Sequence, residues 1–425
     1  MILGLIVLAM LALLFLRVPV AFSMLLPCLL YVSWSPDITL GVALQRTMSG
    51  LDSFPLLAVP LFILTGYLSN AGGLADRLFR FLLCLLKKVP GSLGYVNVIS
   101  SLLFSWMSGA AVADAAGLGS VLVPAMKKRG YDEGFALGLT GASSLIGPMM
   151  PPSIPAIIYA VAAGVSVGGL FFASILPALV LTAILCMSVA IYAARNPLPV
   201  TDEVQGSSVA TAAFQAAPVL LTPVIILGGI LGGVTTPTEA AAVAAAYVMF
   251  LGVVFRSLSS KSLMEALHAT TNTTGSIMLI VAAASLFGWI IAREQGPQAV
   301  TALLTSLTDN PYVFLLLVNV ALLLVGMLLE PVAALLILVP ILLPAARQYG
   351  IDPMHLGVIM ILNLVIGLLT PPVGLVLFVL SSVTDAPVQR VIRGTLPFLV
   401  PLFVTLLLVT YIPALSLWLP KYLLK

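Results

Sequence analysis

Two long apolar stretches are each cut in the middle by the same device. The first reads Ser143-Ser144-Leu145-Ile146-Gly147-Pro148-Met149-Met150-Pro151-Pro152-Ser153, the second Asn363-Leu364-Val365-Ile366-Gly367-Leu368-Leu369-Thr370-Pro371-Pro372-Val373. In both, a Gly is followed four residues later by Pro-Pro. An α-helix cannot carry its hydrogen-bond ladder through that pair, because proline lacks an N–H and its ring meets a carbonyl of the preceding turn. In a bilayer the freed backbone groups are tolerated only where they are buried in protein or line a wet cavity. Interrupted hydrophobic segments at matching places in two halves point to a transport site near the midplane.

Composition identifies the solvent. Of 425 residues, 61% are hydrophobic and 8% charged, with a mean hydropathy of +1.19, whereas soluble domains carry roughly 25% charged residues. The chain therefore reads as an all-α polytopic membrane protein, with room for about a dozen to fifteen crossings and half-crossings of ~20 residues. A scattered net charge of +3 speaks against nucleic acid as a partner. Cys28, Cys84 and Cys186 lie far apart in apolar runs without metal-ligand or redox spacing, and read as small hydrophobes. Residues 1–16 lack a basic start and a small-residue cleavage site, so they read as a retained span.

Taken in order, residues 1–16, 18–34 and 55–68 read as three spans. In 74–88, Arg77, Arg80, Lys87 and Lys88 interrupt Leu and Phe at helical spacing, which suits an amphipathic arm in the interface plane. Between Lys87-Lys88 and Lys127-Lys128-Arg129 lie 38 mostly apolar residues, interrupted at Ser108-Gly109-Ala110-Ala111 and Asp114. Two thin spans or a re-entrant hairpin would fit; arms of about seventeen residues favour the hairpin. The first broken span covers 132–164, and another span covers 170–194. After the polar linker come spans at 212–233, 237–255 and 263–292, an amphipathic segment at 296–307 and a second hairpin-like pattern at 312–346. The second broken span occupies 354–383, and 395–418 reads as the last span. The resulting plan is a scaffold with an arm (1–89), a transport half (90–195), a cytoplasmic linker (196–210), a second scaffold part (211–310) and a second transport half (311–425).

The halves repeat. A shift of 220 superposes Met107 on Met327, Val112 on Val332, Pro124 on Pro344, Gly130 on Gly350, Asp132 on Asp352, Ile146 on Ile366, Gly147 on Gly367, Pro151 on Pro371, Pro152 on Pro372 and Pro177 on Pro397. With the N-terminus outside and each hairpin returning to its own side, thirteen of the 18 Lys and Arg fall inside and five (Arg46, Arg293, Arg347, Lys421, Lys425) outside. This orientation puts both termini outside. It also opens the two hairpins from opposite faces, so the repeat is inverted.

Half-helix C-terminal ends and unwound carbonyls offer oxygen to a small cation, and half-helix N-termini offer N–H groups to an anion. The first cation cage would use Ser108 at the tip with Ser143, Gly147, Met150 and Pro151, the last three through their carbonyls. The second would use Gly326 with Asn363, Gly367, Thr370 and Pro371. Neutral oxygens of this kind suit a hard monovalent cation. An anion site would lie between the cages, near Ser153, Thr370 and Glu330. Asp114 and Glu330 are carboxylates at costly depth, open to a functional role or to a cap or structural hydrogen bond at the tip. Thr236-Pro237-Thr238-Glu239 reads as a helix start, with Thr236 capping. His268 and His355 read as interfacial.

These residues resemble the large membrane subunit, the DctM-like permease, of tripartite ATP-independent periplasmic transporters. The resemblance covers essentially the whole chain. It is carried by Ser108-Gly109-Ala110-Ala111-Val112-Ala113-Asp114-Ala115, Pro151-Pro152-Ser153-Ile154-Pro155, Thr236-Pro237-Thr238-Glu239-Ala240, Gly326-Met327-Leu328-Leu329-Glu330-Pro331 and residues 363–374. Where the family often has a second tip serine, this chain has Ala110. The resemblance implies an inverted-repeat, elevator-type fold with two re-entrant hairpins and two broken transmembrane helices. It implies Na⁺ as the coupling ion, no other cofactor, and import of a small organic anion such as a C4-dicarboxylate, sugar acid or sialic acid across the bacterial inner membrane. It further implies two partners, a small four-helix membrane subunit and a periplasmic substrate-binding protein. A self-sufficient ion-coupled dicarboxylate symporter and a non-transporting structural subunit are the competing readings. An intramembrane enzyme is disfavoured, because no nucleophile and base are paired.

Overall fold

The computed structural model describes residues 2–196 and 209–423. The linker expected at 196–210 falls, apart from its ends, outside the described residues, as do Met1 and Lys425 and the side chain of Ser108. In the first half the helices are α1 (Ile2–Phe15), α2 (Val20–Trp34), α3 (Leu40–Ser49), α4 (Ala58–Ala71, entered by a 3₁₀ turn at Phe54–Leu57), α5 (Leu74–Leu86), α6 (Ser92–Ser108), α7 (Ala111–Lys128), α8 (Glu133–Ser144), α9 (Ile154–Ala163) and α10 (Val167–Arg195). The second half contributes α11 (Val209–Leu231), α12 (Pro237–Val254), α13 (Ser260–Arg293), α14 (Gly296–Leu307), α15 (Pro311–Gly326), α16 (Pro331–Gln348), α17 (Pro353–Gly367), α18 (Leu375–Thr384), α19 (Val388–Tyr411) and α20 (Ala414–Leu423). Among the described residues, seven helical segments are long and apolar enough to cross a membrane.

Both expected breaks are present. The 12 residues of α8 and the 10 of α9 extend only ~18 and ~15 Å at 1.5 Å per residue. Neither spans a hydrocarbon core of ~30 Å alone, and together they do, which puts the break at mid-depth. The 15 residues of α17 and the 10 of α18 divide the second span in the same way. Both Pro-Pro bonds, 151–152 and 371–372, are cis. Each broken helix starts on a side-chain cap: Asp132 accepts the Phe135 N–H at 2.9 Å and Asp352 the Met354 N–H at 2.7 Å.

α6 and α7 form the first hairpin, turning at Gly109 in the left-handed region (φ +55°). A Cβ there would lie 3.2 Å from the Pro152 carbonyl oxygen, so the tip abuts the first break. α15 and α16 form the second hairpin, and Gly326 meets Gly367 backbone to backbone. The halves then interlock: α9 packs on α16 and α18 on α7. Leu380 and Val383 press on Gly119, and the ring of Tyr159 presses on Gly357 while its hydroxyl donates to the Pro353 carbonyl at 2.5 Å. The second half of each broken span is thus held by the hairpin of the opposite repeat.

α4 packs between α12 and α13, and α2 packs on α13, building the scaffold. The two arms join scaffold to hairpins. α5 buries Leu74, Leu78 and Leu82, one per turn, against α6 and α11, while Arg77 lies over the Phe255 ring at 3.7 Å. α14 touches α13 and α16 in the equivalent place. Charged side chains group locally with one another and with aromatic rings. Arg293 pairs with Asp37 and Arg46 lies over the Trp289 ring, while Glu133 pairs with both Lys127 and Arg390.

Three expectations are corrected. The last span does not run unbroken over 395–418; α19 begins at Val388 and stops at Tyr411, before Pro413, whose missing N–H breaks the ladder, and α20 follows. His355 is 3% exposed and hydrogen-bonds the Thr410 carbonyl at 3.2 Å rather than lying at an interface, because α17 is enclosed on every side from its first turn. α3 occupies residues for which the sequence suggested no element. By contrast Thr236 and Glu239 form a capping box, as expected for a structural role.

α8 crosses α19 at glycine. A Cβ on Gly138 would lie 2.0 Å from the Gly394 carbonyl oxygen, and one on Gly394 2.4 Å from that of Gly134. Gly138→Ala is therefore expected to cost about 3 kcal/mol by overpacking, seen as a lower melting temperature in detergent. Gly117→Ala, which meets nothing within 4 Å, is expected to be neutral or stabilising, since Gly in a helix is worth roughly 0.5–1 kcal/mol less than Ala.

Candidate functional site

In the first half the last turn of α8 is fastened to the hairpin arm α6 by side-chain hydrogen bonds. Ser143 donates to Asn97 Oδ1 at 2.9 Å, and Asn97 Nδ2 donates to Thr140 Oγ1 at 2.7 Å, all three residues being fully buried. Thr140 passes its own proton to the Ala136 carbonyl at 2.7 Å. A hydroxyl whose proton is committed presents only lone pairs, the face a cation uses. Ser144 is arranged alike, donating to the Gly141 carbonyl at 2.8 Å.

The break itself is a tight turn in which the Ile146 carbonyl accepts the N–H groups of Met149 and Met150 at 3.1 and 2.9 Å. Among the described residues the carbonyls of Gly147, Met150 and Pro151 accept no hydrogen bond. Asp114, in the first turn of α7, reaches this turn: a Cβ on Gly147 would sit 2.3 Å from its Oδ2. Asp114 is 4% exposed and does not cap α7, whose N-cap position is Ala110. The hydroxyl of Ser153 is otherwise occupied. It donates to the Pro148 carbonyl and accepts the Ala156 N–H at 3.2 Å, capping α9.

The second half repeats this with an amide in place of the serine. Asn363 Nδ2 donates to the Asn319 backbone carbonyl at 3.0 Å and to its Oδ1 at 2.7 Å, and Asn319 Nδ2 donates to Thr410 Oγ1 at 3.0 Å. Asn363 Oδ1 is buried without a hydrogen-bond partner among the described residues. A buried carbonyl oxygen left unmatched costs about 1–3 kcal/mol and has the donor chemistry of a hard-cation ligand. Thr370 donates to the Ile366 carbonyl at 2.9 Å, again keeping its lone pairs. The Gly367 carbonyl already accepts the Thr370 N–H at 3.0 Å, so it is less free than Gly147. Glu330 caps α16, accepting from Val332 N at 3.1 Å and Ala333 N at 3.4 Å, and remains exposed.

The structure thus ties Ser143 to the arm α6 through Asn97, sets Asp114 of the first hairpin on Gly147 and the Gly109 tip on Pro152, and brings Gly326 against Gly367 and Leu364, the neighbour of Asn363, in the second half. Leu369, in the second break, presses on Gly141 of α8, one turn from Ser144. Two crevices border the boundary with the scaffold. One of about 210 Å³ lies between α5 and the first hairpin and contains Asn70, Asp76, Met107 and Asp114. The other, of about 290 Å³, separates Ser53 and Ser285 from Ile158, Leu336 and Pro340.

Asn97 and Asn319 went unnoticed in the sequence. The signal was available: Val96-Asn97-Val98 recurs as Val318-Asn319-Val320. Its offset is 222 rather than 220, because the two hairpins turn differently, and a single shift hides it. Gly134 and Gly138 were likewise legible as a small-residue helix contact.

The chain matches the family model of the tripartite ATP-independent periplasmic transporter, DctM component, over residues 7–415. It is 46% identical over 415 residues to the sialic acid TRAP transporter large permease protein SiaM of Vibrio cholerae, covering 97% of this chain and 96% of that one. It is 41% identical over 391 residues to the C4-dicarboxylate TRAP transporter large permease protein DctM of Pseudomonas aeruginosa, covering 92% and 91%. Among solved structures, the YdaH transporter of Alcanivorax borkumensis, described as having an unusual topology, shares the fold at a TM-score of 0.64 with 18% identity, over 87% of each chain. With broken helices, inverted hairpins and full-length matches all in agreement, the chain belongs to the DctM component family of tripartite ATP-independent periplasmic transporters.

Proposed function

We propose that this permease imports a small organic anion with sodium, taking the anion from a periplasmic binding protein and working beside a small four-helix membrane subunit. The observation that carries the reading is that a hairpin meets a broken helix in both halves, through Asp114 on Gly147 and through Gly326 on Gly367. The unmatched Asn363 Oδ1 supports a cation at the second meeting point, and the free carbonyls of Gly147, Met150 and Pro151 support one at the first. Sialic acid and C4-dicarboxylate, named for the relatives, share a carboxylate, and that group is the element we assign to the substrate. Ser153, Thr370 and Glu330 border its site in this reading.

The hairpin-bearing halves move together as an elevator against the α2–α4–α12–α13 scaffold, and the arms α5 and α14 are the links that must bend. The permease sits in the bacterial inner membrane with both termini in the periplasm. Uptake of radiolabelled anion into proteoliposomes holding both partners tests the coupling. Uptake is expected to require an inward sodium gradient. Equal initial rates with and without that gradient would sink the sodium assignment while leaving the fold untouched.

A further inference from the structure

Away from both meeting points, a cavity of about 840 Å³ opens at the end of the bundle where α8 and α19 begin and α10 ends. Arg195, Arg390 and Arg393 line it together with Asp132 and Glu133. Both carboxylates are committed: Glu133 pairs with Lys127 and, at 2.6 Å, with Arg390, and Asp132 caps α8. Arg195 and Arg393 have no carboxylate partner among the described residues.

The inner wall is formed by the stacked rings of Phe135 and Tyr192. Toward the bilayer the lining turns apolar at Ile191, which is 48% exposed, and at Pro397, and it continues along α19 to Val400, 64% exposed. The cavity is therefore basic at the level of the helix ends and greasy along the helices beyond them.

We propose that it holds an anionic phospholipid of the adjoining leaflet, with the phosphate between Arg195 and Arg393 and the acyl chains over Ile191, Pro397 and Val400. Basic pockets between membrane helices recognise lipid headgroups through this combination. A soluble phosphate would share the arginines but would leave the apolar wall unused.

Native mass spectrometry of the full chain in detergent tests the assignment, with dioleoylphosphatidylglycerol, dioleoylphosphatidylcholine and inorganic phosphate as probes. Phosphatidylglycerol is expected to remain bound at concentrations ~tenfold or more below those phosphatidylcholine requires. Arg195→Gln with Arg393→Gln is expected to remove that preference. Ile191→Trp, which fills the apolar wall and keeps the arginines, is expected to weaken retention of both lipids. Arg77→Gln with Arg80→Gln, on the distant basic face of α5, is expected to change nothing. Equal retention of the two lipids by the unaltered chain overturns the proposal, as does a preference that survives the double arginine variant. Displacement of phosphatidylglycerol by millimolar inorganic phosphate overturns it in favour of a soluble anion. Because the readout is binding, the result is independent of sodium coupling.

Discussion

Gly367→Ala is expected to lower the proposed sodium-driven uptake by roughly 5–150-fold, whereas Gly147→Ala is expected to leave a higher rate. A Cβ on Gly367 would lie 2.4 Å from the carbonyl carbon of Gly326 and 2.6 Å from its Cα and oxygen. All three are backbone atoms of a helix end, so relief requires moving the hairpin tip off the break. Overpacking of this kind costs about 1–3 kcal/mol, which lowers the population with tip and break assembled by roughly 5–150-fold. At Gly147 the nearest atom is Asp114 Oδ2, at 2.3 Å, with its Cγ at 3.3 Å. That side chain can rotate away, so the clash becomes a loss of one contact. Initial uptake rates of the two variants, normalised to folded protein by size exclusion, measure the difference. Equal rates would show that the second tip does not need its close approach.

Asp114→Asn is expected to raise the sodium concentration for half-maximal uptake by about 10–100-fold, the equivalent of the ~1.5–3 kcal/mol that a charged hydrogen-bond or ion contact contributes. The carboxylate lies against the turn whose Gly147, Met150 and Pro151 carbonyls accept no hydrogen bond among the described residues, so in the proposed site it adds the one negative charge to an otherwise neutral oxygen set. The competing explanation is that Asp114 only complements the N-terminal dipole of α7, in whose first turn it lies. That role would appear as a melting temperature lowered slightly at every sodium concentration, with half-saturation unchanged. Measuring the melting temperature as a function of sodium, alongside uptake, separates the two.

The reading from sequence succeeded where local chemistry decides. Proline and glycine at fixed spacing leave a helix no alternative but to stop, so the two breaks, the arms and the repeat were visible in the residues around Gly147 and Gly367. Thr236-Pro237-Thr238-Glu239 was legible as a helix start for the same reason: the capping box is closed within four residues. His355 was misjudged because its environment is made by elements distant in the chain, with Thr410 supplying its hydrogen bond. Asn97 and Asn319 were overlooked because an amide in an apolar helix has no signature until its partner, 46 or 44 residues on, is in place.

The sequence by itself determined the membrane as solvent, the helical segments, the points where they break, and the inverted symmetry of the halves. These follow from hydropathy, from the missing proline N–H and from the count of basic residues, which act over a few residues or over the composition as a whole. Only the tertiary structure decided which hairpin holds which helix, with α9 on α16 and α18 on α7. It alone showed that Asp114 reaches Gly147 while Glu330 and Ser153 spend their side chains on caps. The physical reason is that such contacts are set by close packing between segments far apart in the chain, where the fit of one backbone against another, as at Gly326 and Gly367, leaves room for no side chain at all.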